Sequence, residues 1–188
     1  MAQDSERILL TYADLKELPE DRNRYELYEG ELAMTAAPTP RHQEVVGNLY
    51  AILRQHVLAG QLGLVLLSPV DVRLSDIAVV EPDLLFISRG REAIVGERYV
   101  EGPPDLVVEV ASPSTESRDR RTKRLLYARY AIPNYWIVDT VERSIEGLAV
   151  ETGRYRVTAR AVVPESFAAP PFANLTIRLA EVFGLAAG

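Results

Sequence analysis

Apolar and polar positions along the chain follow two alternating periods. Arg24-Tyr-Glu-Leu-Tyr and Glu31-Leu-Ala-Met alternate on either side of Glu29-Gly30, which predicts a β-hairpin. Pro38 and Pro40 end it. Val45, Val46, Leu49, Ile52, Leu53 and Val57 then recur at helical spacing, with Gly60 just beyond, so an amphipathic helix with a glycine stop follows. Residues 64–70, 72–74 and 77–87 read as strands, the last two separated by a Ser75-Asp76 turn. The charged, glycine-bearing stretch 89–102 reads as a loop. Residues 105–110 are apolar except for their acids and predict a buried strand. Residues 112–117 carry turn and N-cap chemistry ahead of a helix over 118–130. Residues 134–139 form another buried strand, and 145–150 with 154–157 form a hairpin through Thr152-Gly153. Beyond Pro164 the pattern is weak, with a short helix expected near 179–183.

This order predicts an α/β single domain over 1–188, a mixed central sheet flanked by helices, with an N-terminal β-hairpin. No glycine-rich phosphate loop follows a first strand, and no Gly-x-Ser-x-Gly elbow is present, which disfavours a doubly wound nucleotide-binding fold and a serine hydrolase. The chain has no cysteine, so disulfides, thiol nucleophiles and thiolate metal sites are excluded. No apolar run is long enough for a membrane span, and residues 1–7 lack a signal-peptide profile, so a cytoplasmic location without membrane contact is expected. Net charge is −6, against a chain that coats nucleic acid.

Charge becomes informative when it is located. Of 21 basic residues only Lys16 and Lys123 are lysines. Lys16 sits in an acidic N-terminal segment and reads as surface. Residues 118–129 hold six basic residues and one acid, a local net of +5 that leaves −11 elsewhere. A basic helix of this kind could meet a phosphate backbone weakly and in a salt-sensitive way.

The acids are equally uneven. Asp83 interrupts an apolar run, and Glu109 interrupts Leu106-Val-Val-Glu-Val. Ionised carboxylates in apolar strands cost several kcal/mol unless compensated. If the two strands pair antiparallel, Asp83 at the start of one lies beside Glu109 at the end of the other. A hard divalent cation would then explain both. Asp105 lies roughly 13 Å from Glu109 along an extended strand, too far to share an ion, and reads as a capping acid. Lys123, Tyr127 and Tyr130 share one helical face that could approach the acids. In a chain that otherwise uses arginine, a retained lysine points to a need for a compact charge. His42, on the stripe of Val46, Leu49 and Leu53, should face inward. Glu26 reads either as a supporting acid or as a cross-strand partner for Arg24 or another arginine. Tyr127 reads as core packing or as a hydrogen-bond donor to an acid or phosphate.

Tyr25-Glu-Leu-Tyr-Glu-Gly-Glu-Leu, Pro40-Arg-His42, Val80-Glu-Pro-Asp83, Pro104-Asp-Leu-Val-Val-Glu109-Val-Ala-Ser-Pro-Ser, the Asp119…Lys123…Tyr127 spacing and Asn134-Tyr-Trp-Ile-Val-Asp139 together resemble the Uma-two family. That family is a bacterial group within the PD-(D/E)XK nuclease superfamily, and the resemblance spans about residues 8–150, with 151–188 as terminal hairpin strand and extension. It implies a restriction-endonuclease-like core and Mg²⁺-dependent (Mn²⁺ as substitute) hydrolysis of DNA phosphodiesters, possible as a homodimer. Asp83 and Glu109 would be the metal-binding and catalytic acids, and Lys123 the catalytic lysine. His42, Glu26 and Tyr127 would support them. The superfamily lysine normally stands two positions after the second acid, where this chain has Ala111. That departure leaves open an inert nuclease-like module binding nucleic acid or protein, or a hydrolase of another phosphate or glycosidic bond.

Overall fold

The computed structural model describes residues 8–19, 23–35, 37–111, 118–172 and 174–185, apart from the side chains of Arg118 and Asp119. A short helix α1 (Tyr12–Leu15) precedes the expected hairpin, β1 (Arg24–Tyr28) and β2 (Glu31–Thr35), paired in register from Arg24↔Thr35 to Tyr28↔Glu31. Helix α2 (Pro40–Ala59) starts at Thr39, whose hydroxyl accepts the His42 backbone N–H at 3.2 Å, with Pro40 in the first turn where no N–H is needed. It ends at Gly60, although the left-handed residue is Gln61.

The run 77–87, expected as one strand, is two. Strand β5 (Ala78–Val80) pairs with β1 and with β4 (Val72–Ser75), whereas β6 (Leu84–Ser88) pairs with β3 (Gly63–Leu67) and β8 (Leu106–Ala111). The chain changes sheets at Glu81-Pro82-Asp83, because Pro82 has no N–H to continue a ladder. The loop 89–102 contains a 3₁₀ turn (Glu92–Ile94) and a short β7 (Val100–Glu101).

A π-helical turn (Arg118–Lys123) leads into α3 (Arg124–Arg129), where one regular helix was expected. All six residues of that turn are polar, so no apolar stripe imposes the 3.6-residue register there. The turn and cap chemistry of 112–117 lies outside the described residues. Strands β9 (Asn134–Asp139), β10 (Ser144–Glu151) and β11 (Arg154–Val162) follow, then β12 (Ser166–Phe167), β13 (Ile177–Arg178) and α4 (Leu179–Val182).

Among the described residues the main sheet runs β11-β10-β9-β8-β6-β3, and a second runs β2-β1-β5-β4-β7. Strands β8 and β9 pair in parallel and are buried at every position, as their near-continuous apolar runs require. Leu106, Val108 and Val110 face a core built with α2 and with Phe167, Phe172, Leu179 and Phe183 of the C-terminal stretch. Val107 and Ala111 face a second core with Leu126, Tyr127 and Ala128 of α3. Glu109, between them in parity, therefore points to the α3 side. The C-terminal stretch docks through irregular contacts, including Trp136 Nε1 donating to the Pro170 carbonyl at 2.9 Å, so periodicity could not reveal it.

Gly63 opens β3 at φ +143°, where an added Cβ would lie 2.1 Å from the Ile87 carbonyl oxygen. Gly90, at φ +88°, has open space. Gly63→Ala is expected to lower unfolding free energy by about 3 kcal/mol and Gly90→Ala by about 1 kcal/mol. Urea titrations of both variants check the difference.

Candidate functional site

The register Leu84↔Val108 sets Asp83 opposite Glu109 where β6 and β8 separate, the antiparallel arrangement expected from the sequence. Both acids are only 3% exposed. Asp83 draws partners from three elements. Arg24 of β1 donates from Nη1 to Oδ1 at 2.8 Å, His42 of α2 meets Oδ2 through Nε2 at 3.0 Å, and the Val110 backbone N–H of β8 donates to Oδ2 at 2.8 Å. Burial alone would raise the Asp83 pKa, but the His42 bond and the Arg24 charge more than offset it and bring it down to about 2.

Glu109 is bound from the helix side. Lys123 Nζ lies 2.9 Å from Glu109 Oε1, and the Tyr127 hydroxyl donates to the same oxygen at 2.6 Å. Lys123 is 5% exposed and also meets Glu26 Oε1 at 3.1 Å. The Glu81 backbone N–H donates to that oxygen at 2.9 Å, and the Tyr28 hydroxyl donates to Glu26 Oε2 at 2.5 Å. Burial, together with the neighbouring carboxylates, pushes the Tyr127 hydroxyl far up, so it stays a neutral donor. Burial likewise raises Tyr28, against an opposing pull from Lys123.

All six residues singled out from the sequence are therefore in one network. Glu26 takes Lys123 as its partner, whereas Arg24 goes to Asp83 and, through Nε at 3.0 Å, to Glu81. Tyr130 leaves the site and meets the Ser75 hydroxyl at 2.8 Å. Asp105 caps a loop as expected, accepting from the Ser88 N–H and pairing with Arg91. Sequence reasoning overlooked Arg24 and Glu81. Strand alternation held the signal for the first, because Arg24, Glu26 and Tyr28 share one face of β1.

The arginines beyond Lys123 are mostly engaged internally. Arg120 pairs with Asp139, Arg124 donates to the Tyr155 carbonyl and Arg129 pairs with Glu29. Arg121 is exposed and unpaired among the described residues. The helix is thus a structural cross-brace more than the open basic surface that its composition suggested.

Four carboxylates (Glu26, Glu81, Asp83 and Glu109) meet two basic side chains, Arg24 and Lys123, in this network. Among the described residues no three acidic or histidine side chains form an all-protein metal cage. Hard oxygen donors, two opposed carboxylates and a surplus of negative charge suit a magnesium-type ion, which keeps several waters and needs only one or two carboxylates.

Because its folded pKa lies below the ordinary 3.8, ionised Asp83 stabilises the fold above about pH 4, and that contribution is lost as pH falls toward 2. The stability advantage of the native chain over Asp83→Asn is expected to shrink by about 2 kcal/mol between pH 5 and pH 2. Denaturant titrations of the pair at both pH values test this, and a constant difference would contradict the pairing.

Solved structures and family comparisons agree with this architecture. The crystal structure of a "putative nuclease belonging to DUF820" from Anabaena variabilis ATCC 29413 superposes with a TM-score of 0.76 at 16% identity, covering 93% of this chain and 98% of that one. No curated protein matches the sequence. The Uma2 family, described as "putative restriction endonuclease", matches residues 12–180. With the match running across both sheets and every residue of the buried network, the chain belongs to the Uma2 family.

Proposed function

We propose that this protein is a divalent-metal-dependent endonuclease that hydrolyses DNA phosphodiester bonds. The observation that carries this reading is the contact between Lys123 Nζ and Glu109 Oε1, beside Asp83 on the neighbouring strand. It supports a PD-(D/E)XK-type triad in which the lysine comes from the helix and Ala111 holds the usual lysine position. Asp83 and Glu109 are the residues that would hold Mg²⁺ or Mn²⁺. When bound, such an ion supplies a Lewis acid and an activated water for in-line attack on phosphorus.

The remaining roles follow from the chain itself. His42 and the Val110 N–H orient Asp83, and its depressed pKa keeps it ionised at neutral pH. Tyr127 orients Glu109 by donating to it. Glu26, itself held by Tyr28 and the Glu81 N–H, restrains Lys123 so that its ammonium stays at the acid pair. A fixed ammonium there can stabilise charge developing on a phosphoryl oxygen.

Asp83→Asn and Glu109→Gln are expected to reduce Mg²⁺-dependent DNA cleavage at least 100-fold while leaving far-UV circular dichroism unchanged. Cleavage at the native rate by the purified double variant would eliminate this reading. Ala111 also allows an inert nuclease-like module, and calorimetric titration with Mn²⁺ separates the two. Binding lost in both variants supports the enzyme, and no binding by the native chain supports the module.

A further inference from the structure

The site's nitrogen-bearing side chains differ in access to solvent. The Lys123 side chain is 6% exposed with its ammonium between two carboxylates, and the His42 side chain is 10% exposed with Nε2 on Asp83. The second ring nitrogen of His42, Nδ1, is buried without a partner. Both side chains already contact the site's carboxylates. Arg24 is 19% exposed and is the most open of the three.

Its fork is also fixed. Nε meets Glu81 at 3.0 Å and Nη1 meets Asp83 at 2.8 Å, while the Ser68 hydroxyl donates to the same Glu81 oxygen at 3.1 Å. Two carboxylates therefore hold the guanidinium plane. Of its five N–H donors, those on Nη2 make no protein hydrogen bond among the described residues. A planar, weakly hydrated cation with a preset orientation matches phosphate better than a lysine would. An anionic backbone nearing a surplus of carboxylates is repelled except where such a cation stands in front of them.

We propose that Arg24 is a substrate-binding residue that takes a nucleic-acid phosphodiester on its Nη2 edge, with Glu81 as the positioning residue that aims it. This rests on the nuclease reading and extends it to a residue outside the acid pair and Lys123. Charge neutralisation at one phosphate has a direct signature, a change of about 0.9 in the slope of log affinity against log salt.

The test uses a fluorescein-labelled DNA duplex, without divalent ions, and anisotropy from 50 to 200 mM NaCl (~50–200 mM spans the steep range). Arg24→Gln is expected to bind about tenfold more weakly at the low-salt end, with a slope shallower by about 0.9. Arg24→Lys should keep the slope, and Arg54→Gln, on the exposed side of α2, should match the native chain. Because Arg24→Gln also removes a partner from Asp83, a second measurement uses the native protein alone. Phenylglyoxal labelling, read by mass spectrometry, should be suppressed by the duplex at Arg24 and not at Arg54. An unchanged slope in folded Arg24→Gln, or labelling of Arg24 undiminished by bound duplex, overturns the assignment and leaves the nuclease reading intact. Absence of duplex binding by the native chain overturns both.

Discussion

The ionised carboxylate of Asp83 is the constraint around which the rest of the molecule is organised. A buried anion costs several kcal/mol unless it is paired and hydrogen-bonded. Here the compensation comes from β1, α2 and β8 together, through Arg24, His42 and the Val110 N–H. One acid thus ties the N-terminal hairpin sheet, the long helix and the centre of the main sheet. The break at Pro82 makes this possible, since it hands the chain from one sheet to the other immediately before Asp83.

A second network stands behind Glu109. Lys123 joins it to Glu26, and Tyr127 and Tyr28 supply neutral donors to the two acids. Buried polar groups of this kind are stable only when their donors and acceptors are matched, and partial matching would be worse than an apolar core. Three arginines of the following helical segment also have partners within the chain. Pairs with Asp139 and Glu29 and the bond to the Tyr155 carbonyl use their charge to fasten α3 across the sheet ends. Part of the local net of +5 in the sequence is therefore taken up by contacts within the chain. The candidate phosphate contact lies instead at Arg24, in a segment whose overall charge gave no reason to single it out.

Local pattern was a good guide wherever burial follows a period. The β1–β2 hairpin, α2, β8 and β9 were legible because their apolar residues recur at two or 3.6 positions and are covered accordingly. The C-terminal stretch was not, because Phe167, Phe172 and Phe183 enter the core from a two-residue strand, a turn and a helix end, too short to show a period. The division of 77–87 was also hidden, since strands in different sheets carry the same apolar signature.

By itself the sequence determined the inventory of the site: acids at 83 and 109 inside apolar runs, one lysine among arginines, and a histidine on the inward stripe of a helix. These are local facts, since a charge in an apolar run demands compensation whatever the fold. Tertiary structure alone decided which partner compensates which charge. Lys123 could have paired with either acid, and Arg24 with Glu26, its neighbour on the same strand face. Sheet crossing at Pro82 and the approach of α3 to β8 assigned Arg24 to Asp83 and Lys123 to Glu109 and Glu26. Ion pairing depends on separations of a few ångströms between residues far apart in the chain, and only packing sets those distances.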